Sequence, residues 1–235
     1  MLTLVLTRHG LTDRSTPEQH VGQRIDVSIN EAGRRQAEAL ARRLAPVTFD
    51  RVFTSPLFRA RETAAILARR VAIEADPRLR EMDYGAWEGR TYEQIAETDG
   101  EFRRRWEAEP DTLACPGGES GNDVAVRVRS FLDDLLDEHR SWHAKASLRA
   151  ATSGWGTATP RVERPMLAVG HSSSNRVLIC VALAIEVREF RRRMDQDQVN
   201  LTVLQWDLDA APDEGRMLVL NDTAHLRRAD EAPWS

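Results

Sequence analysis

Two short apolar runs in this chain each end on a histidine beside a glycine. Residues 2–6 (LTLVL) lead into Thr7-Arg8-His9-Gly10, and residues 166–169 (MLAV) lead into Gly170-His171. Runs of this length, rich in β-formers, read as buried strands. Apolar residues at helical spacing lie between them: Ala37, Leu40, Ala41 and Leu44, then Val124, Val128, Phe131, Leu132 and Leu135. Strands alternating with helices predict one α/β domain built on a mainly parallel sheet. In such sheets ligands bind beyond the carboxyl ends of strands, where strand order reverses. Two strand-end histidines from distant parts of the chain are therefore expected to share one crevice.

The remaining elements follow from the same patterns. Strands are expected at 50–54 and 71–74, with a closing pair at 201–208 and 217–220. Helices are expected at 31–44, from Ser55 to about Arg70, at 91–109, from near Ser120 to about Trp142, and at 177–187. Ser28 with Glu31 resembles a capping box. Ser55-Pro56 reads as an N-cap followed by proline at the first helical position. Ser120 or Asn122 caps the helix that runs to about Trp142. Residues 11–30 read as loop, and 147–164 as a Gly/Thr/Ala-rich insertion. The whole reads as one domain over 1–228, with a frayed tail at 229–235.

Composition removes several classes of function. The formal net charge is −4, and the six tryptophans do not interleave with the basic runs, so no nucleic-acid surface is expected. The N-terminal apolar run is too short for a signal peptide, and no apolar run is long enough to span a membrane. A cytoplasmic protein is expected. Cys115 and Cys180 lie far apart, which argues against a disulfide framework or a cysteine-based zinc site. His139 and His143 lie one helical turn apart but have no evident third ligand, so no metal site is expected.

The basic residues are 32 arginines and one lysine, Lys145. Most are read as compositional bias. The run Arg103, Arg104, Arg105 and the run Arg191, Arg192, Arg193 read as solvated faces. Either run, if turned into the crevice, would favour a carboxylated or multiply phosphorylated substrate. Arg59 stands apart, because a cation in the first turn of a helix opposes the helix dipole unless an anion is near.

Five ordered segments carry a resemblance. Thr7-Arg8-His9-Gly10 resembles the RHG signature of the histidine phosphatase superfamily, the phosphoglycerate mutase-like fold. The stretch SPLFRARETA from Ser55 resembles that family's SxLxRAxxTA segment. The stretch LREMDYGAWEG from Leu79 resembles its Glu-containing segment, and Gly170-His171 its second-histidine motif. The stretch NDTAHL from Asn221 resembles the ending of its phosphatase branch. The resemblance implies a three-layer α/β/α fold with a mainly parallel central sheet. It also implies a metal-independent phosphomonoesterase that needs no cofactor and acts on a small phosphorylated metabolite. His9 would be the nucleophile and become a phosphohistidine. Arg8, Arg59 and His171 would bind the phosphoryl group, and Glu81 would act as general acid and then general base. Asp83 and Glu88 lie close by, and Glu81 is chosen because it aligns with the family position.

The chain departs from the family pattern at two places. Ser15 stands where family members often carry Asn, and Ser172 follows the second histidine where Gly is common. Ser15, Gly22, Gln23, Glu119 and Ser172 are the expected pocket residues, and segments 95–120 and 147–164 the expected lid. Two rivals remain open on the sequence. One is a 2,3-bisphosphoglycerate-dependent mutase with the same site residues; the other is an idle scaffold of the same fold. The family's substrates include phosphoserine, phosphorylated sugars, glucosyl-3-phosphoglycerate and α-ribazole phosphate, and its members are often homodimers. The sequence leaves both the substrate and a homodimer open.

Overall fold

Side chains of the first strand, β1 (Leu2–Arg8), divide between two hydrophobic clusters: Leu2, Leu4 and Leu6 enter one and Val5 the other. The computed structural model describes residues 1–68, 70–152 and 164–227. The same alternation splits Phe53 from Val52 in β2 (Arg51–Thr54). It splits Met166 and Ala168 from Leu167 and Val169 in β4 (Arg164–Gly170). A sheet covered on both faces makes its strands near-continuous apolar runs, which is why they are visible in the sequence. One cluster includes Leu40 of α1 (Glu31–Arg43) and Ala60, Ala64 and Leu67 of α2 (Phe58–Ala68). The other takes in Ile95 and Trp106 of α3 (Tyr92–Ala108), Val124 and Phe131 of α4 (Gly121–Thr152), and Val177 of α5 (Ser172–Ala182). The expected three layers are present.

The six strands lie in the order β3-β2-β4-β1-β5-β6, where β3 is Ile73–Ala75, β5 is Leu201–Trp206 and β6 is Arg216–Asp222. β1, β4, β2 and β3 pair in parallel; β5 runs against both β1 and β6. β1 and β4 are neighbours in a register that sets Arg8 opposite Gly170. His9 and His171 therefore leave adjacent strands side by side. The bond from His9 N to the Gly170 carbonyl (3.1 Å) extends the ladder to that point.

Several boundaries differ from the sequence expectation, each for a local reason. Helix α1 begins at Glu31, so its cap is Asn30 rather than Ser28, and the Asn30 side chain accepts from Gly33 N at 2.9 Å. Helix α2 begins at Phe58, and Pro56 lies before it. Asp26 Oδ1, from the preceding loop, accepts from Phe58 N at 2.7 Å. Ser120 caps α4, exchanging bonds with Asp123. That helix continues to Thr152, so 147–152 is not loop; the stretch is rich in Ala, Leu and Arg, which favour helix. Helix α5 begins at Ser172, five residues before its apolar stretch, because its first turn is polar and buried against the site. The rest of the expected insertion, 153–163, and the expected frayed tail, 229–235, lie outside the described residues. No helix among the described residues is long and apolar enough to cross a membrane.

The capping assignment has a direct check. Asn30→Ala should lower unfolding free energy by about 0.5–2 kcal/mol in chemical denaturation, the usual cost of losing a cap. Ser28→Ala should change it little. The reverse order would show that α1 starts where the sequence pattern alone places it.

Candidate active site

The carboxyl ends of β1 and β4 open into a crevice lined by Arg8, His9, Ser15, Arg59, Glu81 and Ser172, with several residues not expected from sequence. His9 is buried, and its Nδ1 lies 2.8 Å from its neighbour's carbonyl, Gly10 O. A carbonyl can only accept, so Nδ1 carries the proton and Nε2 keeps its lone pair. Burial, then the charges of Arg59 and Arg8, hold the His9 imidazole well below its ordinary pKa of 6.5. The ring is thus neutral, with its nucleophilic nitrogen unprotonated.

His171 carries the opposite tautomer. Its Nδ1 accepts from Arg59 Nε at 3.2 Å, so the proton sits on Nε2. That Nε2 is buried and has no hydrogen-bond partner. The two imidazoles lie 5.1 Å apart edge to face. Burial and the neighbouring Arg59 depress the His171 pKa too.

Arg59 is fully buried. Three of its four remaining N–H groups donate to the carbonyls of Ile25 (3.1 Å), Val21 (3.0 Å) and Gly22 (2.7 Å). Those carbonyls belong to a loop fastened by Glu88, whose carboxylate accepts from the backbone N–H of Gln23, Arg24 and Ile25. Gly22 serves this arrangement: a Cβ there would collide with the Glu88 carboxylate and the Met82 carbonyl. Arg8 is held differently. Its Nη1 donates to Gln196 O at 2.9 Å, while its Nε is buried without a partner.

Glu81 is the carboxylate that reaches the crevice from its segment. Three backbone N–H groups hold it: Met82 N (2.8 Å) and Ser174 N (3.0 Å) on Oε1, Ser173 N (3.2 Å) on Oε2. Two of these donors are the first turn of α5, whose dipole favours a negative charge. Asp83 and Glu88 do not line the crevice; Asp83 accepts from Gly85 N and pairs with Arg24.

The expected pocket residues divide. Ser15 and Ser172 line the crevice. Gly22, Gln23 and Glu119 do not. Gly22 supports Arg59, and the Gln23 side chain is spent on Glu81 O (2.9 Å) and Glu119 Oε2 (3.1 Å). Glu119 is further engaged by Arg127. Asn221, from the NDTAHL stretch, lies outside the crevice as well. Its Oδ1 accepts from Asp197 N (2.8 Å), next to the Gln196 that anchors Arg8. Sequence reasoning missed His20, Tyr84, Tyr92, Arg176 and Arg191, all of which line the crevice. Arg191 belongs to a run expected to be solvated; it turns inward while Arg192 and Arg193 stay exposed. No group of three or more His, Cys, Asp or Glu suited to a metal ion occurs among the described residues.

The chain is similar to known proteins in sequence and in fold. A family model for the histidine phosphatase superfamily (branch 1) matches residues 4–148, a span that includes His9, Arg59 and Glu81 but stops short of His171. A Mycobacterium tuberculosis relative named as a bifunctional protein is 42% identical over 136 residues, 57% of this chain but only 37% of that protein. A glucosyl-3-phosphoglycerate phosphatase of the same organism is 34% identical over 186 residues, covering 78% of this chain and 76% of the relative. Among solved structures, Bacillus stearothermophilus YhfR superposes with a TM-score of 0.78 at 26% identity, over 97% of this chain and 100% of that one.

The buried histidines set a sign for the pH dependence of stability. Burial, then Arg191 and Arg103, push the His20 pKa down from 6.5 to about 4. Unfolded chains take up protons near 6.5 that the folded protein refuses, so stability is complete above that pH and declines toward pH 4. The midpoint of thermal unfolding should fall between pH 7 and pH 5, and less steeply in His20→Gln. A midpoint that rises with acidification, or an unchanged slope in the variant, would contradict this.

Proposed function

The chain belongs to the histidine phosphatase superfamily, branch 1, and we propose that it is a metal-independent phosphomonoesterase acting on a small phosphorylated metabolite through a phosphohistidine on His9. One observation carries the reading. The neutral His9 lines a crevice together with Arg8, and its ring lies 5.1 Å from that of the fully buried His171; Arg8 Nε and His171 Nε2 are both buried N–H donors without partners. A neutral nucleophile beside unpartnered donors is the arrangement a phosphoryl group requires.

In this mechanism His9 Nε2 attacks phosphorus, and the P–O bond to the alcohol breaks. Arg8, Arg59 and His171 stabilise the charge spread over the equatorial oxygens, the work that a divalent cation does in other phosphoryl transfers. As the general acid of this mechanism, Glu81 gives a proton to the departing alkoxide. The resulting carboxylate then takes a proton from water, which attacks the phosphohistidine and releases inorganic phosphate. The Gly10 carbonyl steadies the His9 Nδ1–H as positive charge develops on the ring.

The test uses two substrates with different leaving groups. His9→Ala should abolish phosphate release from both an alkyl phosphate and p-nitrophenyl phosphate, and EDTA should not affect the wild type. Glu81→Gln should slow the alkyl phosphate by about 10²–10⁴-fold, the range for loss of a general acid–base group. It should slow p-nitrophenyl phosphate less in the first step, because that leaving group needs no proton. Undiminished activity in His9→Ala, or a requirement for added Mg²⁺, would overturn the mechanism.

A further inference from the structure

The proposed reaction uses only one end of the crevice, and a second set of cations lies along the same cavity. Arg176 of α5 and Arg191, from the turn that follows α5, line it beside Tyr84 and Tyr92. The lining counts five arginines, Arg8, Arg14, Arg59, Arg176 and Arg191, against two carboxylates, Glu18 and Glu81. Neither carboxylate neutralises the second set. Glu81 is held by backbone N–H groups, and Glu18 pairs loosely with Arg8, at 4.0 Å.

The individual environments sharpen this imbalance. The Arg191 guanidinium lies over the Trp106 ring, 4.6 Å from its centroid, is hydrogen-bonded to the Tyr92 side chain, and forms no ion pair with a carboxylate among the described residues. A guanidinium supported on its flat face leaves its remaining edge N–H groups for planar anions. Arg176 has a buried Nε without a partner. Its ion pair, with Asp195 at 3.5 Å, goes to a side chain that is 81% exposed, and such pairs contribute little. Burial, together with the charges of Arg191 and Arg8, opposes the protonated form of Arg176. Arg176 is thus held beside two other cations at an electrostatic cost, whereas Tyr92, Tyr84 and Glu107 support the charge of Arg191. A phosphoryl group at His9 accounts for Arg8 and Arg59 but leaves Arg176 and Arg191 without a buried carboxylate partner among the described residues.

We propose that Arg176 and Arg191 form a second anion subsite, and that the substrate carries a carboxylate or a second phosphate besides the phosphoryl group transferred to His9. This rests on the phosphatase reading for the identity of the first group, and it adds the class of the second. Bidentate, charge-assisted bonds from guanidinium suit either anion. Neutral phosphorylated sugars or alcohols would leave the subsite unmatched and are expected to be poor substrates.

The test is equilibrium binding, by calorimetry, of two matched pairs. 3-Phosphoglycerate and glycerol 3-phosphate differ by a carboxylate; fructose 1,6-bisphosphate and fructose 6-phosphate differ by a second phosphate. The wild type should bind the doubly anionic member of at least one pair about tenfold more tightly or better, equivalent to about 1.4 kcal/mol. The preferred pair identifies the anion. Arg191→Gln, and independently Arg176→Gln, should narrow that ratio at least about fivefold, with Arg191→Lys in between. Equal affinities within both pairs, no measurable binding of any of the four, or variants that weaken both members alike would overturn the proposal. The wild-type comparison stands even where a variant fails to fold. Turnover of the same compounds separates the two readings. Anion preference without phosphate release keeps the subsite and removes the phosphatase; phosphate release without preference does the reverse.

Discussion

The site depends on a buried arginine that pairs with no carboxylate among the described residues. Arg59 is fully buried and makes its hydrogen bonds to three carbonyls and one imidazole nitrogen. Burying a charge is costly without compensation. Here the compensation comes from neutral acceptors at the head group and from the charges of Glu81, Asp26 and Glu88 farther off. Its geometry sets three other things. It fixes the tautomer of His171, it helps keep the His9 ring neutral, and it does the same for the His171 ring. Glu88, although not in the crevice, reaches the site through this one side chain by fastening the loop whose carbonyls hold it.

The fold supplies the rest of the positioning with backbone. Parallel pairing of β1 with β4 brings His9 and His171 together from opposite halves of the chain. Helix α5, starting directly after His171, turns its first N–H groups onto Glu81. The proposed nucleophile, the acid and the phosphate ligands thus meet where two strand ends and one helix start converge. Elements of this kind hold geometry more tightly than a loop does.

Much of this was legible in the sequence, and what was not has physical reasons. The buried strands announced themselves as apolar runs because both faces of the sheet are covered. His9, Arg59, Glu81 and His171 were legible through ordered motifs, and Arg59 also through its awkward place in a first helical turn. The start of α5 was hidden because its first turn, Ser172 to Asn175, carries no apolar period; its burial is tertiary. Asn30 was passed over for Ser28 because a capping pattern in sequence does not locate the residue at which the backbone turns helical. In the sequence Arg191 is indistinguishable from Arg192 and Arg193 beside it. Its inward turn depends on Trp106 and Tyr92, residues far away in the chain. Gln23 and Glu119 show the converse: adjacency to the site in sequence pattern placed them in the pocket, but their polar groups are consumed in supporting it.

The account stands most directly on the identity of the atom that takes the phosphoryl group. Rapid quenching of the enzyme during turnover of a ³²P-labelled phosphomonoester, followed by peptide mapping and ³¹P NMR of the trapped protein, locates it. The tautomer that the Gly10 carbonyl imposes on His9 requires acid-labile, alkali-stable phosphate on His9 Nε2, appearing before inorganic phosphate accumulates. Label on another residue, label on His9 Nδ1, or single-turnover phosphate release with no phosphoenzyme would contradict it.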